Sequence, residues 1–238
     1  MTMRILQNEE QIRAARAELT RRGLSALESR TRSLLRRLRL HDSPRIGDAI
    51  KSWDVLTTIE YLETHVSKDA PILDIGAYAS ELLIALHRLG YRRLCGVDVN
   101  PQLLESAHAD EIQYTVADFK RTPYADSSFA AITAISVIEH GFEAAALLAE
   151  TARLLRPGGY FIASFDYWPN KIDTSGTKFF GMDWLIFSER EILSFMRDAQ
   201  AHGLEPIGEV NGNASERPVK CAGKAYTFGW LVLRRSSG

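Results

Sequence analysis

Short apolar segments alternate with helical segments along the chain from Pro71 to Tyr167. The apolar segments are PILDIG, RLCGVDV, IQYTVADF, FAAITAISVI and YFIASFDY, and each has the length of a single strand. The segments SELLIALHRLG, PQLLESAH and FEAAALLAETARLL lie between them and have the spacing of helices. Strands that are apolar on both faces and alternate with helices indicate a parallel sheet covered on both sides. The pattern therefore predicts a doubly wound α/β fold.

The segment before this core predicts three further helices. Their approximate ranges are Glu9–Arg22, Ser25–Leu40 and Lys51–His65, and the turn-forming sequence HDSPRIG separates the second from the third. We interpret residues 1–66 as an N-terminal helical extension that caps the main domain.

The segment after Tyr167 is less regular. An aromatic-rich stretch, WPNKIDTSGTKFFGMDW, precedes a helix that begins with the capping box Ser188-x-x-Glu191. Two last strands, EPIGEVN and KAYTFGWLVLRR, are separated by a polar loop over residues 212–223. Residues 67–238 are therefore predicted to form one domain around a mostly parallel sheet of seven strands.

Composition narrows the class of protein. The 238 residues are 45% hydrophobic and 25% charged, which is ordinary for a globular chain. The sequence has no apolar run of the roughly 20 residues that a membrane span needs, and the N-terminus lacks a secretory pattern. The two cysteines, Cys95 and Cys221, have no metal-ligand spacing. We expect a cytoplasmic protein with free thiols and no metal site.

Positive charge is concentrated near the N-terminus. Residues 1–51 contain 12 Lys and Arg against 6 Asp and Glu, although the whole chain has a net charge of −1. The arginines between Arg30 and Arg39 fit a solvated helix face, a subunit or partner contact, or a surface for RNA or membrane. Because that helix has no aromatic residue among its basic ones, we do not expect a nucleic-acid partner. The sequence leaves a homodimer open.

Polar and small residues follow the predicted strands where a ligand would bind. In a doubly wound sheet, ligands bind at the carboxyl ends of the strands near the switch in strand order. Asp74 and Gly76 follow the first strand, Asp98 ends the second and Asp118 the third. Gly76 allows a sharp turn, Asp98 can accept protons from two ribose hydroxyls, and Asp118 can accept from an adenine amino group. Three carboxylates would repel a pyrophosphate and favour a cationic nucleoside.

These residues resemble the class I (Rossmann-like) S-adenosylmethionine-dependent methyltransferase family. The matching segments are ILDIGAYASELLIAL, LCGVDVNP, YTVADF, ITAISVIEH and LLRPGGYFIAS. Asp74 and Gly76 match the first positions of the D-x-G-x-G-x-G loop, whereas Tyr78 and Ser80 occupy its other two glycine positions. A nicotinamide-binding protein would instead require G-x-G-x-x-G, of which only Gly76 is present.

The resemblance implies that S-adenosylmethionine is the cofactor. It implies contacts from the strand ends and the residues that follow them. These are Asp74, Gly76, Ala77, Tyr78, Ser80, Asp98, Val99, Asp118, Phe119, Ser136 and Val137.

The reaction implied by the resemblance is methyl transfer to an acceptor, for which the enzyme mainly supplies alignment. A hydroxyl acceptor also needs a base, and His140 is the candidate; a structural role beside the cofactor is the alternative. Asp166–Trp168 and Asp183–Trp184 are candidates for the acceptor wall, and Lys51–Asp54 either caps the cofactor or packs the extension. We expect a small-molecule or glycan hydroxyl as acceptor. An RNA or protein methyltransferase and a non-catalytic S-adenosylmethionine-binding module remain alternatives.

Overall fold

The computed structural model describes residues 2–27 and 46–237. Its helices are α1 Glu9–Arg21, α2 Ser52–His65, α3 Leu82–Arg88, α4 Ala144–Leu154 and α5 Glu189–Ala201. Its strands are β1 Met3–Ile5, β2 Ile72–Ile75, β3 Leu94–Asp98, β4 Gln113–Val116, β5 Phe129–Ile135, β6 Leu155–Tyr167, β7 Lys178–Phe179, β8 Met182–Asp183, β9 Leu204–Pro206, β10 Val219–Cys221 and β11 Lys224–Arg235. Short 3₁₀ turns occur at Ala49–Lys51 and Pro101–Glu105. Within these described ranges, every helix is too short or too polar to bridge a lipid bilayer.

The main sheet has the strand order β1-β11-β6-β5-β2-β3-β4. Strands β2 to β6 are parallel, and β11 runs antiparallel to β6. Strand β2 pairs with β3 on one side and with β5 on the other, so the strand order switches there. This arrangement confirms the predicted Rossmann-like fold, and it puts the carboxyl ends of β2 to β6 along one edge of the sheet.

Apolar side chains fill both faces of the sheet. Along β6, Phe161 and Ala163 pack on the face covered by α4 and α5, whereas Ile162 packs on the opposite face with residues of α2 and α3. Successive strand residues point to opposite faces, so a strand must be apolar throughout when helices cover both. The strand segments of the sequence are almost continuously apolar because helices cover both faces of the sheet.

Two short strands pair with the outer edge of β11. Strand β1 pairs Met3 with Leu231, and β9 pairs Leu204 with Arg235. The sequence analysis did not predict β1, because a three-residue segment is too short to show a period of two. Through β1, the N-terminal extension contributes a strand to the main sheet.

The predicted helix PQLLESAH is wrong, since this segment forms only the 3₁₀ turn. Leu103 is buried in the turn but Leu104 is 58% exposed, so a longer helix would have almost no apolar face to bury. The predicted strand EPIGEVN is also too long. Pairing stops at Pro206, and Ile207 and Val210 remain exposed.

Two further predictions differ from the structure. The polar loop at residues 212–223 contains strand β10, which forms a hairpin with the start of β11. Residues 25–27 are not helical, contrary to the predicted start of the second helix. The remainder of that helix, including the stretch from Arg30 to Arg39, falls largely outside the described residues.

Candidate active site

A sharp turn follows β2 at Gly76. Its backbone φ is +72°, and a Cβ atom at this position would lie 2.4 Å from Cγ2 of Val137. Both the left-handed conformation and the lack of space require glycine. The turn therefore packs directly against Val137, two residues after β5. This contact brings together two of the segments that are predicted to bind the cofactor.

The two non-glycine positions of the loop do not require glycine in this structure. The left-handed residue is Ala79, with a φ of +59°, and neither Tyr78 nor Ser80 has a positive φ. Ser80 instead uses its hydroxyl, which donates a hydrogen bond to Oδ2 of Asp74 at 2.8 Å. The departure from the D-x-G-x-G-x-G pattern thus leaves the loop fully formed.

Asp74 is buried and holds the loop in place. Its Oδ1 accepts a hydrogen bond from the Thr133 hydroxyl at 2.6 Å, and its Oδ2 accepts from Ser80. Burial raises the pKa of Asp74 to about 6, because the charged form loses water around it; the nearby Asp98 adds to the rise. A direct contact with the cofactor remains a prediction for this residue.

Asp98 lies at the end of β3 beside the same loop. Oδ2 accepts the backbone N–H of Tyr78 at 3.1 Å, and Oδ1 accepts the backbone N–H of Asn100 at 2.9 Å. A carboxylate oxygen can accept more than one hydrogen bond, so both oxygens keep capacity for a ligand hydroxyl. Val99 is 61% exposed next to it and presents an apolar surface at the same edge.

Asp118 and Phe119 follow β4 at the adjacent strand end. Oδ1 of Asp118 accepts the backbone N–H of Lys120 at 2.9 Å, and the Lys120 ammonium lies 3.6 Å from Oδ2. The Asp118 side chain is about half exposed, whereas Phe119 packs partly against the core. This pair therefore forms the outer rim of the edge, which is where the resemblance puts the adenine.

Ser136 is the first residue after β5 and has a strained backbone, with a φ of +53°. Its N–H donates to the backbone oxygen and the hydroxyl of Ser164, and its own hydroxyl accepts a hydrogen bond from the Lys51 ammonium. A non-glycine residue in this region is stable only when its neighbours hold it. The strained residue is therefore Ser136, the one that links Lys51 of the N-terminal extension to the end of β5.

His140 lies four residues further along, among aromatic rings. The edges of Phe179 and Phe180 face it, with ring centroids 5.8 and 5.7 Å away. Its Nδ1 is buried and has no hydrogen-bond partner among the described residues. Burial lowers the pKa of His140, so the ring is neutral at pH 7 and can accept a proton.

A cluster of three buried carboxyl groups and one partly exposed ammonium group lies behind Ser136 and His140. It consists of Asp54 from α2, Glu139 after β5, Asp166 near the end of β6 and Lys51 from the 3₁₀ turn. The Lys51 ammonium lies 3.8 Å from Oδ1 of Asp166 and 3.8 Å from the centroid of the Phe228 ring. Asp54, Glu139 and Asp166 each have one carboxyl oxygen without a hydrogen-bond partner among the described residues.

Two carboxyl groups of this cluster have raised pKa values. Burial raises the pKa of Asp54 to about 6 and the pKa of Glu139 well above its usual range, with the Asp166 charge adding to the latter. The remaining oxygen of Asp54 accepts from Ser164 at 2.8 Å, and that of Asp166 accepts from the Trp184 indole at 2.7 Å. Lys51–Asp54 and Asp166 are separate candidates in the sequence, and no sequence pattern predicts that they lie close together in the fold.

The N-terminal extension is fastened to the glycine turn. Arg16 forms two hydrogen bonds of 2.8 Å with the buried Glu81 carboxylate, which also accepts the N–H of Ala26 at 2.7 Å. The N–H of Gly47 donates to the Ala79 oxygen at 2.8 Å. The extension therefore packs on the loop and places Lys51 at the end of β5, whereas capping of the cofactor by Lys51–Asp54 stays a prediction.

Comparisons with known proteins agree with this geometry. Residues 73–163 match the family model described as Methyltransferase domain. A curated relative, the methyltransferase GfsG of Streptomyces halstedii, is 29% identical over 126 residues, which are 50% of this chain and 45% of that protein. The chain thus spans about half the length of that relative.

Solved structures of known proteins share the fold at low identity. The geranyl diphosphate C-methyltransferase of Streptomyces coelicolor, solved with Mg²⁺, geranyl diphosphate and S-adenosylhomocysteine, has a TM-score of 0.54 at 18% identity, over 75% of this chain and 80% of that one. The [4+2]-cyclase SpnF has a TM-score of 0.58 at 15% identity, over 81% and 84%. Residues 73–163 therefore belong to a methyltransferase domain, and the chain has the fold of the class I S-adenosylmethionine-dependent methyltransferases that its sequence resembles.

Proposed function

We propose that this chain binds S-adenosylmethionine at the carboxyl ends of β2 to β5 and transfers its methyl group to a hydroxyl of a small molecule or glycan. The observation that carries the proposal is the Gly76 turn packed on Val137 beside Asp98. Backbone N–H groups hold the Asp98 carboxylate, and both its oxygens can still accept ribose hydroxyls. Asp118 and Phe119 then take the adenine, and Ser136 and Val137 lie toward the methyl group.

His140 is the proposed proton acceptor. Bound S-adenosylmethionine would supply an electrophilic methyl group, and the carbon–sulfur electron pair would stay on sulfur as the acceptor oxygen bonds to the methyl carbon. The hydroxyl proton passes to Nδ1 of His140, which is buried, unpaired among the described residues and neutral at pH 7. Phe179 and Phe180 lie against the ring with centroids 5.8 and 5.7 Å away, and burial of Nδ1 keeps bulk water from the atom that takes the proton.

Cofactor binding is tested by calorimetric titration of S-adenosylmethionine. We expect Asp98→Ala to weaken binding by ~1–3 kcal/mol, because a charge-assisted hydrogen bond to the ribose is lost. The control is Asp69→Ala, which removes an exposed carboxylate remote from the strand ends. If both variants bind as tightly as the parent chain, Asp98 does not hold the ribose.

Methyl transfer is tested with labelled S-adenosylmethionine against a panel of phenols, sugars, amines and carbon acids. The proposal expects turnover on hydroxyl compounds, and a rate ~10²–10⁴-fold lower in His140→Gln with unchanged cofactor affinity. A variant that retains the parent rate at every pH would remove the base role. Turnover confined to carbon acids would instead match the C-methyltransferase whose fold this chain shares.

A non-catalytic or differently catalytic module is the second candidate. Two observations favour it: the loop has Tyr78 and Ser80 where the family pattern has glycine, and a cyclase shares the fold. It expects S-adenosylmethionine binding without turnover on any acceptor. The RNA or protein methyltransferase alternative uses the Arg30–Arg39 stretch, and it expects methylation that falls steeply as salt concentration rises.

A further inference from the structure

Two histidines and a glutamate meet on the surface away from the proposed active site. His87 is in the last turn of α3, and His108 and Glu111 lie in the connection between the Pro101–Glu105 turn and β4. Nε2 of His87 and Nδ1 of His108 lie 3.2 and 3.1 Å from the same oxygen, Oε2 of Glu111. Among the described residues, these side chains offer three ligand atoms that all lie within 4.8 Å of one another.

Two of the three separations approach the edges of a tetrahedral zinc site. Zinc binds imidazole nitrogen and carboxylate oxygen at ~2.0–2.2 Å, so two ligand atoms at tetrahedral corners lie ~3.3–3.5 Å apart. The two distances to Glu111 are already within a few tenths of an ångström of that edge. The imidazole rings lie 4.5 Å apart at their centroids and are inclined at 38°. The third separation, between the two histidine nitrogens, is within 4.8 Å, so binding of one metal ion requires the rings to turn toward each other.

The backbone holds the ligands in this arrangement. His108 is in the left-handed region with a φ of +61°, and its carbonyl oxygen accepts the N–H groups of Glu111 and Ile112 at 2.9 and 2.8 Å. Ile112 is buried and fixes this turn to the core. His87 is held by the helix. His87 is partly buried, whereas His108 and Glu111 are exposed, so the site is open to ions from solvent.

We propose that His87, His108 and Glu111 bind one Zn²⁺ ion, with the fourth position left to water. Each neutral imidazole binds through the lone pair of the named nitrogen and carries its proton on the other ring nitrogen. The ion joins α3 to the connection before β4, a segment that has a single short turn and no longer helix. Its effect is therefore to stabilise residues 101–112, and it is independent of the proposed methyl transfer.

The test is calorimetric titration of the full chain with zinc chloride at pH 7.5. One equivalent should bind, and His87→Gln and His108→Asn should each weaken binding more than ~10-fold, since even the loss of an outer partner of a metal ligand has that effect. Asparagine tolerates the left-handed backbone at position 108. His202→Gln, which changes a histidine outside the cluster, should bind zinc as the parent chain does. Calcium chloride should not bind, because imidazole ligands favour zinc.

Hydrogen exchange provides a second measurement. Zinc should slow amide exchange within residues 101–112 in the parent chain and in His202→Gln, but not in Glu111→Gln, which keeps the shape of the side chain and removes its charge. The proposal is overturned if the parent chain shows no saturable binding, or if the cluster variants, folded by circular dichroism, bind zinc as tightly as it does. Equal losses in the cluster variants and His202→Gln would indicate adventitious binding and would also overturn it.

Discussion

Replacing Gly76 with alanine tests the turn on which the proposed cofactor site depends. Alanine at this position must adopt a φ of +72° and must place its Cβ atom 2.4 Å from Cγ2 of Val137. The left-handed conformation costs an L-residue ~1–2 kcal/mol. Overpacking against a held side chain costs a further ~1–3 kcal/mol. The structure therefore predicts a loss of ~2–5 kcal/mol, together with weaker S-adenosylmethionine binding.

Gly90→Ala is the matched control. Gly90 has a φ of +87°, but a Cβ atom there would meet nothing within 4 Å, so this variant has the conformational cost alone. In a chain of this length, 1 kcal/mol corresponds to a shift in Tm of ~2–4 °C. We expect a decrease of about 2–8 °C for Gly90→Ala and of about 4–20 °C for Gly76→Ala by thermal unfolding.

A double variant separates the contact from the backbone strain. Val137→Ala removes the methyl group that the new Cβ would strike, so Gly76→Ala/Val137→Ala should be more stable than the sum of the two single changes predicts. Residues in contact give coupling energies of ~0.5–3 kcal/mol in such a cycle. Additive effects, with equal Tm shifts for Gly76→Ala and Gly90→Ala, would refute the close packing of the turn on Val137.

Further predictions concern the buried charged residues and Phe180, which lies between β7 and β8. Burial raises the pKa of Asp54 to about 6, so the stability that its protonated form contributes is present below pH ~4 and is lost as the pH rises through about 6. In urea unfolding between pH 4 and 6, Asp54→Asn should make the free energy of unfolding fall less steeply with pH. An unchanged slope would contradict the assignment. Arg16→Met should cost ~3–5 kcal/mol by leaving the buried Glu81 carboxylate without its cation, and adding Glu81→Gln should restore part of that loss. Phe180 is 87% exposed, so Phe180→Ala should change the free energy of unfolding by less than ~0.5 kcal/mol. Because its ring contacts His140, the same change should lower turnover of a hydroxyl acceptor, and normal turnover would show that this contact does not assist the proposed base.

The sequence is sufficient to predict the central sheet and the positions of its functional strand ends. Strands β2, β3, β5 and β6 are mostly buried on both faces, so their apolar character appears directly in the sequence, whereas β4 lies at the sheet edge and is partly exposed. The same logic places Gly76 and Asp98 at one edge, because parallel strands bring their carboxyl ends together. The predicted cofactor residues follow from this periodicity and from the family pattern.

The charged cluster could not be predicted in the same way. Lys51, Asp54 and Asp166 come from a 3₁₀ turn, a helix and a strand, and their meeting depends on how the extension packs on the sheet. No local pattern encodes that packing. Strand β1 was also not predicted, because its partner lies more than 220 residues away in the sequence. His87 and His108 likewise lie far apart in the sequence and come into contact only in the folded chain.

The pairing of β1 with β11 has a consequence for the order in which the chain is made. Met3 faces Leu231, so β1 has no partner until the more than 220 residues that separate it from this part of β11 have been translated. At ~5–20 residues per second, this interval is roughly 10–45 s. Met3 and Ile5, both buried in the finished sheet, must stay without their native partners for that time, so β1 joins the sheet long after it has been synthesised.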